Sequence, residues 1–458
     1  MATESDRRRP WLDEAISRRA MLKGIGVGAV AMGAGGLLSA CTKGVKGSGS
    51  GSGDTIVIGF VSPQTGALAG FASGDNFVVD RVRATDAYKN GFTVGGKTYS
   101  IEIVVADSQS EPTRASEVAR ELILQNHADM IVTSSTPETT NPVADACEAQ
   151  GVPCLSTVVP WQAWYFPRQQ DPANPQPFKY TTMYFFGAEA FGGCFVPMWD
   201  RIDTNKVVGG MFPNDDDGNA FRDAWPGIID AAGYTFVDGG PYPDLQLNDF
   251  SQMLSKFKRQ ECDVFINAPL PPDFNTFWKQ AAQQGYAPKL ATVAKVLLFP
   301  ADTDALGQLV NNIATDSWWG PFMPYTSTLS GESAKDLANA YQEDSGKQWL
   351  QTLGSTYSLF EIASEAFTSV DDPHDGDAVA AALFGVKYEG ISGPLDFTTG
   401  PHIDPADPAS PTIPGIGIVD PVGVQWRPGT DWDWEMVVVD NSINPDVPIG
   451  GDLIPTNP

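Results

Sequence analysis

Basic and metal-ligating side chains are what this sequence has least of. Its 458 residues include 3 His, 5 Cys and 29 Lys plus Arg against 56 Asp plus Glu, a formal net charge of −27. Three scattered His exclude a His-rich metal centre and leave little for His-based nucleophilic catalysis, although one would suffice. So acidic a chain is a poor partner for nucleic acid, whose phosphates call for clustered Lys and Arg. Long apolar runs are missing beyond the N-terminus: the nearest candidate, Ala291 to Pro300, is interrupted by Lys295 and falls well short of the ~20 residues that cross a bilayer. The chain has no HExxH, no GxSxG and no paired CxxC, the motifs that would announce metalloprotease, serine-hydrolase or redox chemistry. Core material is plentiful, with 42% hydrophobic and 10% aromatic residues, so wholesale disorder is excluded. The length predicts two or three domains.

Residues 1–40 read as an address and are set aside from the fold. Arg7 to Arg9 open the chain, and Ser17-Arg18-Arg19-Ala20-Met21-Leu22-Lys23 precedes a Gly/Ala-rich apolar run that ends Leu38-Ser39-Ala40-Cys41. The first pattern resembles a twin-arginine export signal, with Met21 where Phe is usual. The second resembles a bacterial lipobox, whose Cys becomes the lipidated first residue of the mature protein. Residues 41–53 are then the lipidated Cys41 and a Gly/Ser tether. The expected product is an extracytoplasmic protein held to the membrane through lipid at Cys41. Outside the cytoplasm disulfides are permitted, so Cys147 with Cys154 and Cys194 with Cys262 are possible pairs; buried free thiols are the other possibility.

The body alternates strand and helix patterns. Thr55–Ser62, Tyr99–Ala106, Asp129–Thr133 and Pro153–Thr157 read as strands, separated by helical stretches at Asp75–Asn90, Glu111–Asn126 and Pro137–Gln150. The rhythm restarts with strands at Lys206–Phe212, Tyr234–Asp238, Asp263–Asn267 and Lys289–Val293. Between them lie helices at Asn219–Ala232, with a break or bend expected at Pro226, Asp249–Arg259 and Asp273–Gln284. Such alternation implies βαβ units and parallel sheets. Trp161 to Asn174 reads as a long connecting loop, and the chain after Asp316 as three helices followed by a Pro- and Gly-rich tail with an exposed insertion from Thr399 to Gly415.

Ile56 to Gly66 (IVIGFVSPQTG), Asp107 to Ile123, Val132 to Trp161, Val207 to Asp238, Asp263 to Gly285 and Ile391 to Phe397 (ISGPLDF) resemble the branched-chain amino-acid-binding proteins, type I periplasmic solute-binding proteins of ABC importers. The resemblance covers most of residues 54–440 and rests on order and spacing. It implies an α/β fold of two doubly wound Rossmann-like lobes joined by a three-crossover hinge, a ligand in the cleft, and closure on binding. The expected division is 54–182 with 318–391 in lobe 1, and 183–317 with 392–458 in lobe 2. The implied partners are a small-molecule ligand and ABC permease subunits, with no cofactor and a monomeric, non-enzymatic chain. A ligand sensor of the same fold is the other reading, and a hydrolase using Asp and Glu a third.

In open α/β sheets ligands sit beyond the carboxyl ends of strands, against helix N-termini. That rule selects Ser134-Ser135-Thr136-Pro137-Glu138-Thr139, whose hydroxyls and amides suit a carboxylate; the resemblance implies that grip for Ser135, Thr136 and Thr139. Helix capping is the ordinary role of such residues. The next loop, Ser156 to Trp161, offers the backbone of Val158 and Val159, with Pro160 near the family's hydroxyl position and Trp161 as either a pocket wall or core packing. In the second half, Asn214-Asp215-Asp216-Asp217-Gly218 fails as a calcium loop, since Pro213 and Ala224 fall where ligands are needed. Asp217 remains a candidate for a donor group of the ligand. Leu270, in Pro269-Leu270-Pro271-Pro272, is a candidate for a stiff wall. Trp318, Trp319 and Tyr357 are either wall or hinge packing. Lys295 falls where the resemblance implies an acidic residue for a ligand ammonium, so it is expected to repel amines and attract an anion.

Overall fold

A computed structural model describes residues 54–456 apart from 172–173, 244–245, 405–406 and 408. The expected export signal, Cys41 and the tether lie outside the described residues. Among the described residues no helix is long and apolar enough to cross a membrane.

The first lobe runs β1 (Thr55–Ser62), α1 (Asp75–Ala84), α2 (Asp86–Asn90), β2 (Phe92–Val94), β3 (Lys97–Asp107), α3 (Pro112–Leu124), β4 (Met130–Ser134), α4 (Pro137–Gln150), β5 (Cys154–Thr157), α5 (Trp161–Tyr165) and β6 (Thr181–Tyr184). The second runs α6 (Ala188–Asp200), β7 (Val207–Pro213), α7 (Asp216–Ala231), β8 (Thr235–Tyr242), α8 (Ser251–Arg259), β9 (Val264–Asn267), α9 (Pro271–Gln284), β10 (Leu290–Val293), α10 (Pro300–Leu306) and β11 (Ala314–Ser317). The chain then adds α11 (Ala334–Ser345), α12 (Thr352–Thr368), α13 (Gly376–Gly385), the hairpin β12 (Lys387–Gly390) and β13 (Gly393–Asp396), β14 (Ile416–Gly417), β15 (Val422–Pro428) and β16 (Trp434–Asp440).

Each lobe is built on a seven-stranded sheet, ordered β14-β6-β5-β4-β1-β3-β2 in the first and β16-β15-β11-β10-β9-β7-β8 in the second. Pairing is parallel except at the edges, where β2 runs antiparallel to β3, β15 antiparallel to β11, and β16 antiparallel to β15. The central strands read as continuous apolar runs because helices cover both faces, as a parallel sheet requires. Ile58, Phe60, Ile131 and Val132 in the first sheet, and Val208, Phe265 and Ile266 in the second, are fully buried. Each such side chain contributes about 1.5–3 kcal/mol of burial.

Several expectations are corrected. The helix foreseen over residues 75–90 is two helices parted at Thr85, which has an extended backbone and whose Oγ1 caps α2. Pro226 does not break its helix: α7 continues through it, as α4 and α6 continue through Pro142 and Pro197. The stretch after Trp161 is not all loop; α5 forms there because Trp161, Trp164 and Tyr165 bury together. The four described cysteines are buried free thiols, not disulfides. The expected switch to lobe 2 at residue 392 is also displaced. β13 pairs with β12, and Ile416 pairs with Met183 of β6, so the chain stays with the first sheet to Gly417 and joins the second at Val422. Residues 183–184, expected in lobe 2, likewise complete β6. With Gly415 before it and Gly417 as its second residue, β14 lacks the apolar alternation that marks a strand.

Candidate functional site

Parallel strands deliver their carboxyl ends to one side of each sheet, and the two sides face one another. The segments after β1, β4, β5, β6, β7, β10 and β11 enclose a cavity of ≈ 40 Å³, room for about three water-sized groups. Thr136, Val158 and Pro160 border it from the first lobe. Asp217, Lys295 and Asp316 border it from the second. Around these polar groups stand rings: Phe71 from the loop after β1, Phe185 and Phe186 at the first crossover, Phe191 and Phe221 on α6 and α7, and Trp318 at the second crossover. Phe185 meets Trp318 edge-on at 5.0 Å, and Phe71 meets Phe299 of the opposite lobe at 5.0 Å. The lobes are therefore in contact across the cleft.

On the first-lobe side, Pro137 occupies the first turn of α4, where a missing N–H costs nothing. Thr136 stands at the N-cap but its side chain makes no capping bond. Its Oγ1, with Ser135 Oγ and Thr139 Oγ1, is buried without a hydrogen-bond partner in the structure. The helix-capping role foreseen as the alternative for these residues is not the one Thr136 takes.

On the second-lobe side, Asp215 caps α7 through Oδ1, which accepts from Gly218 N at 2.6 Å. Its other oxygen lies 3.1 Å from Lys295 Nζ, and Asp217 Oδ2 lies 2.7 Å from the same nitrogen. Burial alone would lower the Lys295 pKa, but Asp217, Asp215 and Glu138 outweigh it and hold the ammonium charged well above its ordinary range. Burial pushes Asp217 up to about 7, with Glu138 and Asp215 adding to the rise and Lys295 opposing it. Burial also pushes Asp316 up to about 7. Asp217 Oδ1 and Asp316 Oδ1 are buried and have no hydrogen-bond partner in the structure.

Two residues at the rim have left-handed backbones: Val158, with φ of 63°, and Lys295, with φ of 68°. For non-glycine residues this conformation costs on the order of 1–3 kcal/mol and is concentrated at functional sites.

Four of the residues foreseen from the sequence border the cavity: Thr136, Val158, Asp217 and Lys295. Ser135 and Thr139 are buried in the same loop just behind them. Val159 is turned into the core, and Leu270 is buried at the start of α9 away from the cavity lining. Trp161 does not form a wall. Its Nε1 donates to Glu189 Oε1 at 2.8 Å, while Gln162 Nε2 donates to Glu189 Oε2 at 2.7 Å, so it clamps the first crossover. Of the residues held between two roles, Trp318 borders the cavity, whereas Trp319 is buried with its Nε1 donating to Ile391 O. Tyr357 is buried with its OH on Ser330 Oγ. Lys295 does face the cleft, but the expectation that it attracts an anion loses its basis, because its ammonium already lies 2.7 Å from Asp217 and 3.1 Å from Asp215. Sequence reading missed Phe71, the Phe185-Phe186 pair, Phe191, Phe221 and Asp316; the pair and Asp316 were signalled only by lying at strand ends. Among the described residues no group of three His, Cys, Asp or Glu is placed to hold a metal ion.

A family profile described as "Periplasmic binding protein" matches residues 55–406. No curated protein matches the chain. Among solved structures it is similar to the leucine-binding protein LivK of Thermotoga maritima, with a TM-score of 0.66 at 17% identity over 84% of this chain and 98% of that one. It is also similar to an ABC-transporter solute-binding protein of Rhodopseudomonas palustris in complex with 3,4-dihydroxybenzoic acid, with a TM-score of 0.64 at 18% identity over 88% and 98%. A third is the branched-chain amino-acid-binding protein LivJ of Streptococcus pneumoniae in complex with isoleucine, with a TM-score of 0.62 at 18% identity over 88% and 99%. Two parallel-sheet lobes meeting at a cavity and the profile over most of the chain lead to one conclusion: the chain belongs to the periplasmic binding proteins, and its fold is the type I fold of these LivK- and LivJ-like structures.

Proposed function

We propose that this chain is a lipid-anchored receptor of an ABC importer, which captures a small polar solute between its lobes and presents the closed form to a permease. It acts as a monomer, without turnover of the solute, exported by the twin-arginine route and tethered at Cys41. The observation that supports it most is the cavity itself: both lobes contribute to it, and buried oxygens of Thr136, Asp217 and Asp316 on its lining, with those of Ser135 and Thr139 just behind, have no hydrogen-bond partner among the described residues. Buried polar atoms are nearly always paired with protein, water or ligand, and several of the unpaired ones lie on or just behind this lining. Binding favours closure only to the extent that the solute binds the closed form more tightly than the open one.

The test is a thermal-shift screen with small amino acids, amines, amides and organic acids, followed by small-angle scattering with whichever solute binds. At 100 times its dissociation constant a solute stabilises by about 2.7 kcal/mol, a rise of a few degrees for a chain of this size. A shift with unchanged solute and a smaller radius of gyration supports the reading. Chemical conversion of the solute, or no shift with any class, overturns it. Cys41→Ser should release the protein from the membrane fraction.

A further inference from the structure

Resting on that solute-binding reading, we infer that the solute is a compact amine cation with an apolar body and no carboxylate, seated between Asp217 and Asp316 against the aromatic walls of the cleft. Three observations converge on this. First, a carboxylate entering the cavity meets no free cation: Lys295 is the only Lys or Arg among the described residues bordering it. Its ammonium is already within 2.7 Å of Asp217 and 3.1 Å of Asp215, so a carboxylate would have to displace protein carboxylates. Arg222 lies nearby on α7, but it does not border the cavity, and its guanidinium donates to the carbonyls of Phe212 and Pro213 and to Asn219.

Second, the unpaired charged groups of the cleft are acceptors, and the one unpaired hydroxyl on the lining, Thr136 Oγ1, can accept as well as donate. Asp217 is 4% and Asp316 1% exposed, and each has an oxygen without a partner in the structure. An ammonium supplies three donors to such oxygens, and charge-assisted bonds of this kind are about twice as strong as neutral ones. Third, the remaining walls are ring faces and edges from Phe71, Phe185, Phe186, Phe191, Phe221 and Trp318. Such walls take an apolar body and attract a cation within about 6 Å of a ring centre. They offer nothing to a second anionic group. Asp316 thus becomes a specificity-determining residue on β11, beside the second crossover.

The test uses matched ligands with the full chain. 3-Methylbutylamine, leucine and 4-methylpentanoate share one branched alkyl body and differ in carrying an ammonium, both charges or a carboxylate. Phenethylamine, phenylalanine and 3-phenylpropanoate form the aromatic equivalent. Calorimetric titration is expected to give an amine at least tenfold tighter than its amino acid and its acid. Asp316→Asn should weaken that amine at least tenfold while leaving the circular dichroism spectrum unchanged; if it does not fold, Asp217→Asn carries the same expectation. An acid or amino acid that binds more tightly than the matched amine overturns the inference and leaves the solute-binding reading in place. An amine affinity unchanged in a folded variant also overturns it. Absence of binding by every ligand overturns both.

Discussion

Val158 and Lys295 occupy corresponding places in the two lobes. Each follows a four-residue parallel strand, Cys154–Thr157 or Leu290–Val293, and each turns left-handed, with φ of 63° and 68°, at the mouth of the cleft. The helices that precede these strands match as well: both begin with Pro in the first turn and end at a left-handed Gly, Gly151 or Gly285. The turn brings each residue to the cavity lining, at the cost of backbone strain that packing must offset.

That strain predicts an unusual response to glycine. Val→Gly at a buried site ordinarily loses burial and gains unfolded-chain entropy, for a cost of several kcal/mol. At Val158 relief of the left-handed conformation opposes both losses. The expected net change for Val158→Gly is within about 1 kcal/mol, measured by urea denaturation; a loss of 3 kcal/mol or more would show that the turn stores no strain.

Lys295→Met is expected to destabilise the second lobe by roughly 3–5 kcal/mol at pH 8, because Asp215 and Asp217 would be left as buried neighbouring carboxylates without their cation. Lowering the pH protonates Asp217 and should restore much of the loss. Melting temperatures of variant and wild type should therefore converge between pH 8 and pH 5.5; a pH-independent gap would contradict the pairing.

The wild type should itself lose stability as pH rises. Asp75, buried and accepting from Ser62 at 2.6 Å and from Thr356 at 2.8 Å, is pushed by burial from 3.8 up to about 6. Between those values the folded state holds more protons than the unfolded one, so stability falls with increasing pH across that window and levels off above it. A shift of that size corresponds to at most about 3 kcal/mol. Asp75→Asn should flatten the pH 4–6 part of the stability curve. Asp316, pushed up to about 7, continues the same slope to higher pH.

Gly187 at the first crossover has no room for a side chain. A Cβ there would stand 2.3 Å from Trp161 Nε1 and 2.4 Å from Gln162 Oε1, the two residues clamped on Glu189. Gly187→Ala should break that clamp, lower stability by about 1–3 kcal/mol and enlarge the radius of gyration. Unchanged scattering would mean the clamp does not set the angle between the lobes.

The sequence displayed much of this molecule and hid a definable part. Strand and helix alternation is a local property, so both sheets and their parallel character were visible, and with them the strand-end loops that border the cavity. Thr136, Val158, Asp217 and Lys295 lie in those strand-end loops, and the family resemblance picked them out there. What stayed hidden depends on partners distant in the chain. Lys295 reads as a free cation until Asp215, 80 positions away, is seen on its ammonium. Trp161 reads as a wall until Glu189 is found on its indole. β14 could not be foreseen, because a two-residue strand, Ile416 and Gly417, takes its identity from β6.

That late strand has a consequence for how the chain comes to be folded. The outer edge of the first sheet is supplied by Ile416 and Gly417, and that of the second by residues 422–440. Neither sheet is complete until almost the whole polypeptide is present. Pairings between such distant segments make folding slow, and a chain interrupted before β14 carries two open sheet edges, which are templates for aggregation. Nascent or truncated forms should depend on chaperones in a way the finished protein does not.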